Sequence, residues 1–259
     1  MRRFEGQIAV VTGGAGGIGE AASVRLADEG ARVFILDVDG SKAESVSARI
    51  GATGIHCDVA DETELATAFD RVAAKAGRID ILMAVAGGSQ EGLVADLDGE
   101  AWDRLYRSNL RSTALSCRLA LRTMIPARSG AIVTMSSISG LRGDPGWSSY
   151  NAMKAAIINL TQSLAWETGR YGIRVNAICP GPIATPRMLG SLEDKAIAAA
   201  YDRATAIGRM GRAEEVAAAM AFLASSEASF ITGTCLVIDG GLTARTGQPV
   251  GFDAMLDKI

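Results

Sequence analysis

Apolar residues along the chain gather in seven short runs, at 8–12, 32–37, 53–57, 81–85, 131–136, 174–178 and 235–238, each rich in β-branched side chains. Runs of that length and composition predict strands, and the stretches between them have the length and period of helices. A strand followed by a helix does not fold back as a hairpin, so successive strands are expected to lie parallel, with helices on both faces of the sheet. The pattern predicts an α/β fold, a doubly wound parallel sheet of about seven strands in a single domain over 1–259. No repeat of fixed period, low-complexity tract or block of like charge interrupts it.

Composition narrows the function more than the fold. Of 259 residues, 48% are hydrophobic, and the 30 glycines are scattered instead of gathered in a linker, so one large core is the simpler expectation. A net charge of −3 supplies no basic footprint, and neither nucleic acid nor a membrane is expected as a partner. The first residues pass directly into the first strand and no apolar run approaches the ~18 residues of a membrane span, so the expected location is cytoplasmic. Cys57, Cys117, Cys179 and Cys235 include no Cys-x-x-Cys pair and read as reduced core residues, without a metal site. His56, the only histidine, reads as a packing residue at a strand end, which leaves no Ser/His/Asp triad.

In a doubly wound sheet, ligands bind beyond the carboxyl ends of the strands, so the residues after each strand are the informative ones. After the first comes Thr12-Gly13-Gly14-Ala15-Gly16-Gly17-Ile18-Gly19. Such a turn can bring backbone amides and a helix N-terminus against a pyrophosphate, the dinucleotide-binding device of a Rossmann fold. Two registers fit, Gly14, Gly16 and Gly19 or Gly13, Gly17 and Gly19, and spacing alone does not choose. The second strand ends at Asp37, eighteen residues past Gly19, where a carboxylate can accept hydrogen bonds from ribose hydroxyls and would repel a 2′-phosphate. Neither Gly16 nor Val38 offers that phosphate a basic side chain, so NAD is expected in preference to NADP. Asp58, after the third strand, suits an adenine amino group and suits a helix start as well.

Tyr150 and Lys154 stand four residues apart in a helix predicted over 149–168, on one face and about one turn apart. A phenol with a pKa near ~10 is a poor base at neutral pH, and a neighbouring ammonium favours the phenolate. The pair reads as an acid/base near working pH. Ser136, Ser137 and Ser139 crowd the end of the fifth strand, and the residue pattern does not single one out.

Thr-Gly-x-x-x-Gly-Ile-Gly at 12–19, Asp58-Val59, Asn109-Leu110, Ser137, Tyr150-x-x-x-Lys154, Pro180-Gly181 followed by Thr185, Ile231-Thr232-Gly233 and Val237-Ile238-Asp239-Gly240-Gly241 together resemble the short-chain dehydrogenase/reductase family, over roughly residues 5–243. The resemblance implies the register Gly13, Gly17 and Gly19, with Ile18 between. It also implies an NAD(H)-dependent oxidoreductase that passes a hydride between nicotinamide and a secondary alcohol or ketone. Tyr150 would be the general acid/base, and Ser137 would hydrogen-bond the substrate oxygen. Lys154 would hold the nicotinamide ribose and lower the tyrosine pKa, and Asn109 would position a water linking the lysine to solvent. Further cofactor contacts are implied at Asp37, Asp58, Val59, Ala86, Gly87, Pro180 and Gly181, with Ile183 and Thr185 on the carboxamide. A homo-oligomer is implied too, a tetramer before a dimer, meeting through helices near 100–125 and 149–170.

One departure stands out. Where the family has Asn-Asn-Ala-Gly after the fourth strand, this chain has Ala84-Val85-Ala86-Gly87, which removes side-chain amides that tie neighbouring strands near the cofactor. Substrate-facing side chains are expected from 88–93, from 138–147 and from a lid over about 182–210. Leu141, Trp147, Met188 and Leu189, with Gln90 and Ser139, suit a cyclic or aromatic alcohol better than a polyol. Arg142, Arg187 and Arg209 offer instead to meet a carboxylate or the phosphate of a thioester carrier. An acyl-carrier ketoreductase, disfavoured by Asp37, and a non-catalytic NAD-binding regulatory module are the alternatives. The tail over about 242–259 is apolar enough to dock on the same or a neighbouring subunit.

Overall fold

A computed structural model describes residues 2–190 and 195–246; the tail beyond 246 and part of the expected lid, 191–194, lie outside the described residues. The chain runs β1 (Ile8–Thr12), α1 (Gly17–Asp28), β2 (Arg32–Asp37), α2 (Gly40–Ile50), β3 (Thr53–His56), α3 (Glu62–Ala76), β4 (Ile81–Ala84), α4 (Gly99–Leu105), α5 (Ser112–Ala127), β5 (Gly130–Met135), α6 (Ser148–Thr168), β6 (Ile173–Pro180), α7 (Pro186–Gly190), α8 (Lys195–Ala204), α9 (Ala213–Ala224) and β7 (Cys235–Ile238). The seven strands form one parallel sheet in the order β3-β2-β1-β4-β5-β6-β7. The predicted strands are thus all present. β6 runs two residues further than expected, because Pro180, which lacks an amide to donate, is tolerated as its last residue opposite Ile238.

Strand periodicity divides the core in two. Ala9, Val11, Val33, Ile35, Ile81 and Met83 point to one face, where Ala22 and Leu26 of α1 and Val216 and Met220 of α9 cover them. Ile8, Val10, Phe34, Leu36, Leu82 and Ala84 point to the other, beneath Leu65, Phe69 and Val72 of α3 and Cys117, Ala120 and Met124 of α5. Because both faces are covered, the strands read as continuous apolar runs, as parallel strands must. Asp39, Asp61 and Asp98 start α2, α3 and α4 by accepting hydrogen bonds from the first free amides.

The order reverses between β1 and β4: from β1 the chain builds outward through β2 and β3, then crosses back to β4 on the other side. At that switch point the loops after β1 and β4 diverge and leave a crevice beyond the strand ends. Along its outer face α6 exposes Ala152 and Ala155, and Trp166 is 90% exposed. Among the described residues no helix is long and apolar enough to cross a membrane.

Candidate active site

The crevice at the switch point is a cavity of about 660 Å³. Its floor is backbone. Gly13 has φ +64°, and a Cβ there would lie 2.8 Å from Ala86 Cα; Gly17 has φ +50°, against Thr185; a Cβ on Gly19 would fall 2.0 Å from the Gly13 carbonyl oxygen. Gly16, by contrast, has an extended φ of −151° and meets nothing nearer than Lys42 Nζ at 3.8 Å. A Cβ at Gly14 would also be crowded, 2.9 Å from Val11 O, so what sets Gly13 and Gly17 apart is their positive φ, which supports the register Gly13, Gly17 and Gly19. α1 begins at Gly17, earlier than its first non-glycine polar residue suggests, with Gly16 as N-cap and no side chain capping its amides. Those open amides line the cavity and suit a pyrophosphate.

Asp37 closes this end. Its Oδ2 accepts from Ala15 N at 3.0 Å and its Oδ1 from Asp39 N at 3.0 Å, so the carboxylate is fixed against the glycine turn. Asp58 and Val59 line the same end. Asp58 Oδ1 accepts from Ala60 N at 2.9 Å within its own turn, and the helix start belongs to Asp61. His56, exposed, stacks under Gly40 with Nδ1 3.6 Å from Glu64. Lys42 also lines this end. The sequence pattern did not single it out because it sits in the first turn of α2, five residues after Asp37, and only the fold turns it back toward Gly16.

The expected loss at Ala84-Val85 is made good locally. Ala84 is buried and Val85 packs on the core, while Ala86 N donates to the Thr12 hydroxyl at 3.3 Å, tying the β4 loop to β1 through a side chain on the other strand.

At the far end stand Tyr150 and Lys154 on α6, as predicted. Lys154 Nζ lies 5.4 Å from the Tyr150 ring centroid and donates to the Met135 carbonyl at 2.9 Å. Ser136 is turned away, donating to the Lys154 carbonyl at 2.7 Å. Ser137 is the serine that hydrogen-bonds Tyr150, and it accepts from Ser139 N at 3.1 Å. Ser139 itself is engaged with Asp144 at 2.6 Å. Trp147 stands edge-on to Tyr150, centroids 6.1 Å apart at 72°.

Burial reverses one expectation. It pushes the Tyr150 phenol above its ordinary value, against the pull of the Ser137 hydrogen bond and of Arg187, while Asp144 and Cys179 add to the rise. Burial also lowers the Lys154 ammonium to about 8. In this state the lysine does not lower the tyrosine: its ammonium is bound to a carbonyl and its own charge is penalised.

Asn109 sits behind the cavity, wholly buried, in a π-helical turn at Tyr106–Arg111 that joins α4 to α5. The wide turn frees carbonyls that the Ser112 and Thr113 hydroxyls take up. Asn109 Nδ2 donates to Leu105 O at 3.2 Å, but its Oδ1 has no partner and is aimed at Gly87, where a Cβ would lie 2.4 Å from it and 3.8 Å from Lys154 Nζ. A buried amide oxygen and a buried ammonium flank one glycine, a setting that fits a bridging water. Thr185 lines the cavity, whereas Pro180, Gly181 and buried Ile183 form its support; a Cβ at Gly181 would strike Asp239.

Among the described residues no group of three or more metal-ligating side chains occurs, and the cysteines are free thiols. Cys179 and Cys235, distant in sequence, are brought into contact across β6 and β7 with sulfurs 2.7 Å apart.

These features belong to a known family. The family model described as enoyl-(acyl carrier protein) reductase matches residues 13–243. A protein of Bradyrhizobium diazoefficiens named a probable short-chain type dehydrogenase/reductase is 42% identical over 99% of this chain and 98% of its own. The cis-4-hydroxycyclohexanecarboxylate dehydrogenase of Sinomonas cyclohexanicum is 44% identical over 93% and 98%. Among solved structures, that of gox2181 superposes with a TM-score of 0.90 at 34% identity, covering 94% of this chain and 98% of that one. The chain belongs to the short-chain dehydrogenase/reductase family and is an oxidoreductase acting on CH–OH groups. Family dehydrogenases use nicotinamide cofactors, and the side-chain-free cradle, the open α1 amides and the unpartnered Asn109 oxygen fit such a group.

Proposed function

We propose that the protein is an NAD(H)-dependent dehydrogenase of a cyclic secondary alcohol, or the reductase of its ketone. The observation that carries the reading is one cavity lined at one end by the glycine turn and Asp37 and at the other by Tyr150 and Lys154. The nicotinamide, when bound, supplies hydride acceptance or donation. Ser137, already bonded to the phenol, orients the substrate oxygen toward Tyr150. Tyr150 takes the hydroxyl proton during oxidation and returns it to the carbonyl oxygen during reduction. Lys154 holds the nicotinamide ribose and, through a water against Asn109 Oδ1, passes protons to solvent. Asp37 holds the adenosine ribose and excludes a 2′-phosphate by charge repulsion.

The cyclic substrate is supported by the Sinomonas relative, whose name describes a ring alcohol, and by the apolar edge that Trp147 presents beside Tyr150. The test is nicotinamide absorbance at 340 nm with NAD or NADP and a panel of cyclic, aromatic, polyol and hydroxyacyl alcohols. Reduction of NAD with ring alcohols is expected; turnover confined to hydroxyacyl thioesters with NADP would favour the acyl-carrier reading that the family model's description suggests. Silence throughout, with NADH still bound, would leave the non-catalytic module. We also read the exposed face of α6 as the surface of a homotetramer, and a monomer mass in light scattering would sink that reading.

A further inference from the structure

We propose that Arg187 anchors an anionic group on the substrate, so that the alcohol turned over is a hydroxy acid and the ketone its oxo acid. The inference rests on the dehydrogenase reading above and names its substrate class.

Position comes first. Arg187 follows Thr185 and Pro186, and all three line the cavity that Tyr150 and Lys154 line. Its Nη2 donates at 3.2 Å to the hydroxyl of Ser89, in the loop after β4, so the guanidinium reaches across the cleft mouth from α7 to the opposite bank. It is near enough to the Tyr150 phenol to act on it electrostatically. The cofactor's charges have other partners. The open α1 amides await a pyrophosphate, and Lys42 is the cation near Gly16 at the adenosine end.

Charge is the second argument. Most arginines around the fold are neutralised by carboxylates, among them Arg104 by Glu100, Arg111 by Glu62 and Arg209 by Glu215. Among the described residues none lies within ion-pair distance of Arg187, whose one hydrogen bond is to a neutral hydroxyl. A guanidinium has five donors in a planar fork that matches a carboxylate in two parallel bonds. The other two arginines at this end drop out. Arg142 donates to the adjacent Leu141 carbonyl and does not line the cavity, and Arg209 is clamped by both oxygens of Glu215. Ser89 gives the fork its orientation until an anion replaces it.

The experiment compares 4-hydroxycyclohexanecarboxylate, its carboxamide and cyclohexanol, with saturating NAD, in wild type, Arg187→Met and Arg187→Lys. Wild type should prefer carboxylate to carboxamide by about 10- to 100-fold in kcat/KM, the size expected of charge-assisted hydrogen bonds. In Arg187→Met the carboxylate-to-cyclohexanol ratio should fall by a similar factor, mostly through KM, and Arg187→Lys should recover part of it. Equal losses for carboxylate and cyclohexanol, or a carboxamide as good as the carboxylate, would overturn the proposal and leave the dehydrogenase intact. If none of the three turns over, the ring-alcohol reading fails, and calorimetric titration of the NADH complex with cyclohexanecarboxylate still decides the anchor. Binding lost in Arg187→Met supports it, and binding absent in wild type or equal in both refutes it.

Discussion

The two ends of the cleft are made differently. The end proposed for adenosine and pyrophosphate is backbone: Gly13, Gly17 and Gly19 let chain approach chain, α1 offers uncapped amides, and Asp37 is held by Ala15 N of the glycine turn and by Asp39 N of the turn after β2. The end proposed for the substrate is side chains on the 88–93 loop, the turn before α6 and the short α7, among them Ser89, Trp147 and Arg187. A backbone site constrains which residues can be present, and so it can be recognised in a sequence. A side-chain site on loops leaves spacing free and depends on where the chain returns.

The largest effect is expected at the end where Tyr150 stands. Tyr150→Phe keeps the ring against Trp147 and removes the proton carrier, so kcat should fall by about 10²–10⁴-fold. NADH binding, followed by fluorescence, should persist. Turnover within tenfold of wild type would remove Tyr150 from its role and erase the distinction between a binding end and a reacting end.

Lys154 sharpens the comparison through pH. Its buried ammonium titrates near about 8, against 10.5 for an ordinary lysine. Between those values the unfolded chain binds the proton that the folded protein has released, so stability rises with pH as the cost of the buried charge is relieved. Below about 8 both states are protonated and the cost is full. Relative to Lys154→Met, the cofactor-free wild type should therefore gain about 3 kcal/mol between pH 7 and pH 10.5, measured by urea unfolding. A flat difference would mean that the lysine is solvated in the folded protein.

How much could be read beforehand follows the same division. The seven strands were legible because two covered faces leave continuous apolar runs, and Tyr150 with Lys154 because one helical turn fixes their spacing. The glycine register was not, since five of the eight residues at 12–19 are glycines and only the positive φ of Gly13 and Gly17, seen in the folded turn, sets those two apart. The family resemblance supplied Ser137, which residue pattern alone left level with Ser136 and Ser139; the hydrogen bonds now give each a separate partner. Lys42, the Thr12 hydroxyl under Ala86 and the contact of Cys179 with Cys235 depend on pairings across the sheet or around a turn, which no local spacing encodes. The direction of the tyrosine shift escaped as well, because desolvation depends on burial in the finished fold.

A smaller effect tests whether the backbone end is as strict as its geometry. Gly13→Ala would hold a side chain at φ +64° and 2.8 Å from Ala86 Cα, so it should cost about 1–3 kcal/mol for the backbone alone and weaken NADH binding. Gly16→Ala, with extended φ and nothing within 3.7 Å of the new methyl, should do neither, since Lys42 Nζ is 3.8 Å away. Equal tolerance at both positions would put the register in doubt.

The smallest effect concerns Asp37, the side chain proposed to give the backbone end its selectivity. Asp37→Ala removes the repulsion of a 2′-phosphate and leaves Lys42 as a cation beside the vacated space, so the NAD-over-NADP ratio of kcat/KM should fall by about tenfold or more, one charge interaction's worth at a half-exposed site. The same change frees Ala15 N and Asp39 N, so affinity for both cofactors should drop together while their ratio shifts. The double variant Asp37→Ala with Lys42→Ala separates the two causes: if Lys42 receives the phosphate, NADP turnover gained in the single variant is lost again. An unchanged ratio in Asp37→Ala would mean that the carboxylate serves the turn and not the choice of cofactor, and that even this end of the cleft takes its selectivity from side chains not yet in view.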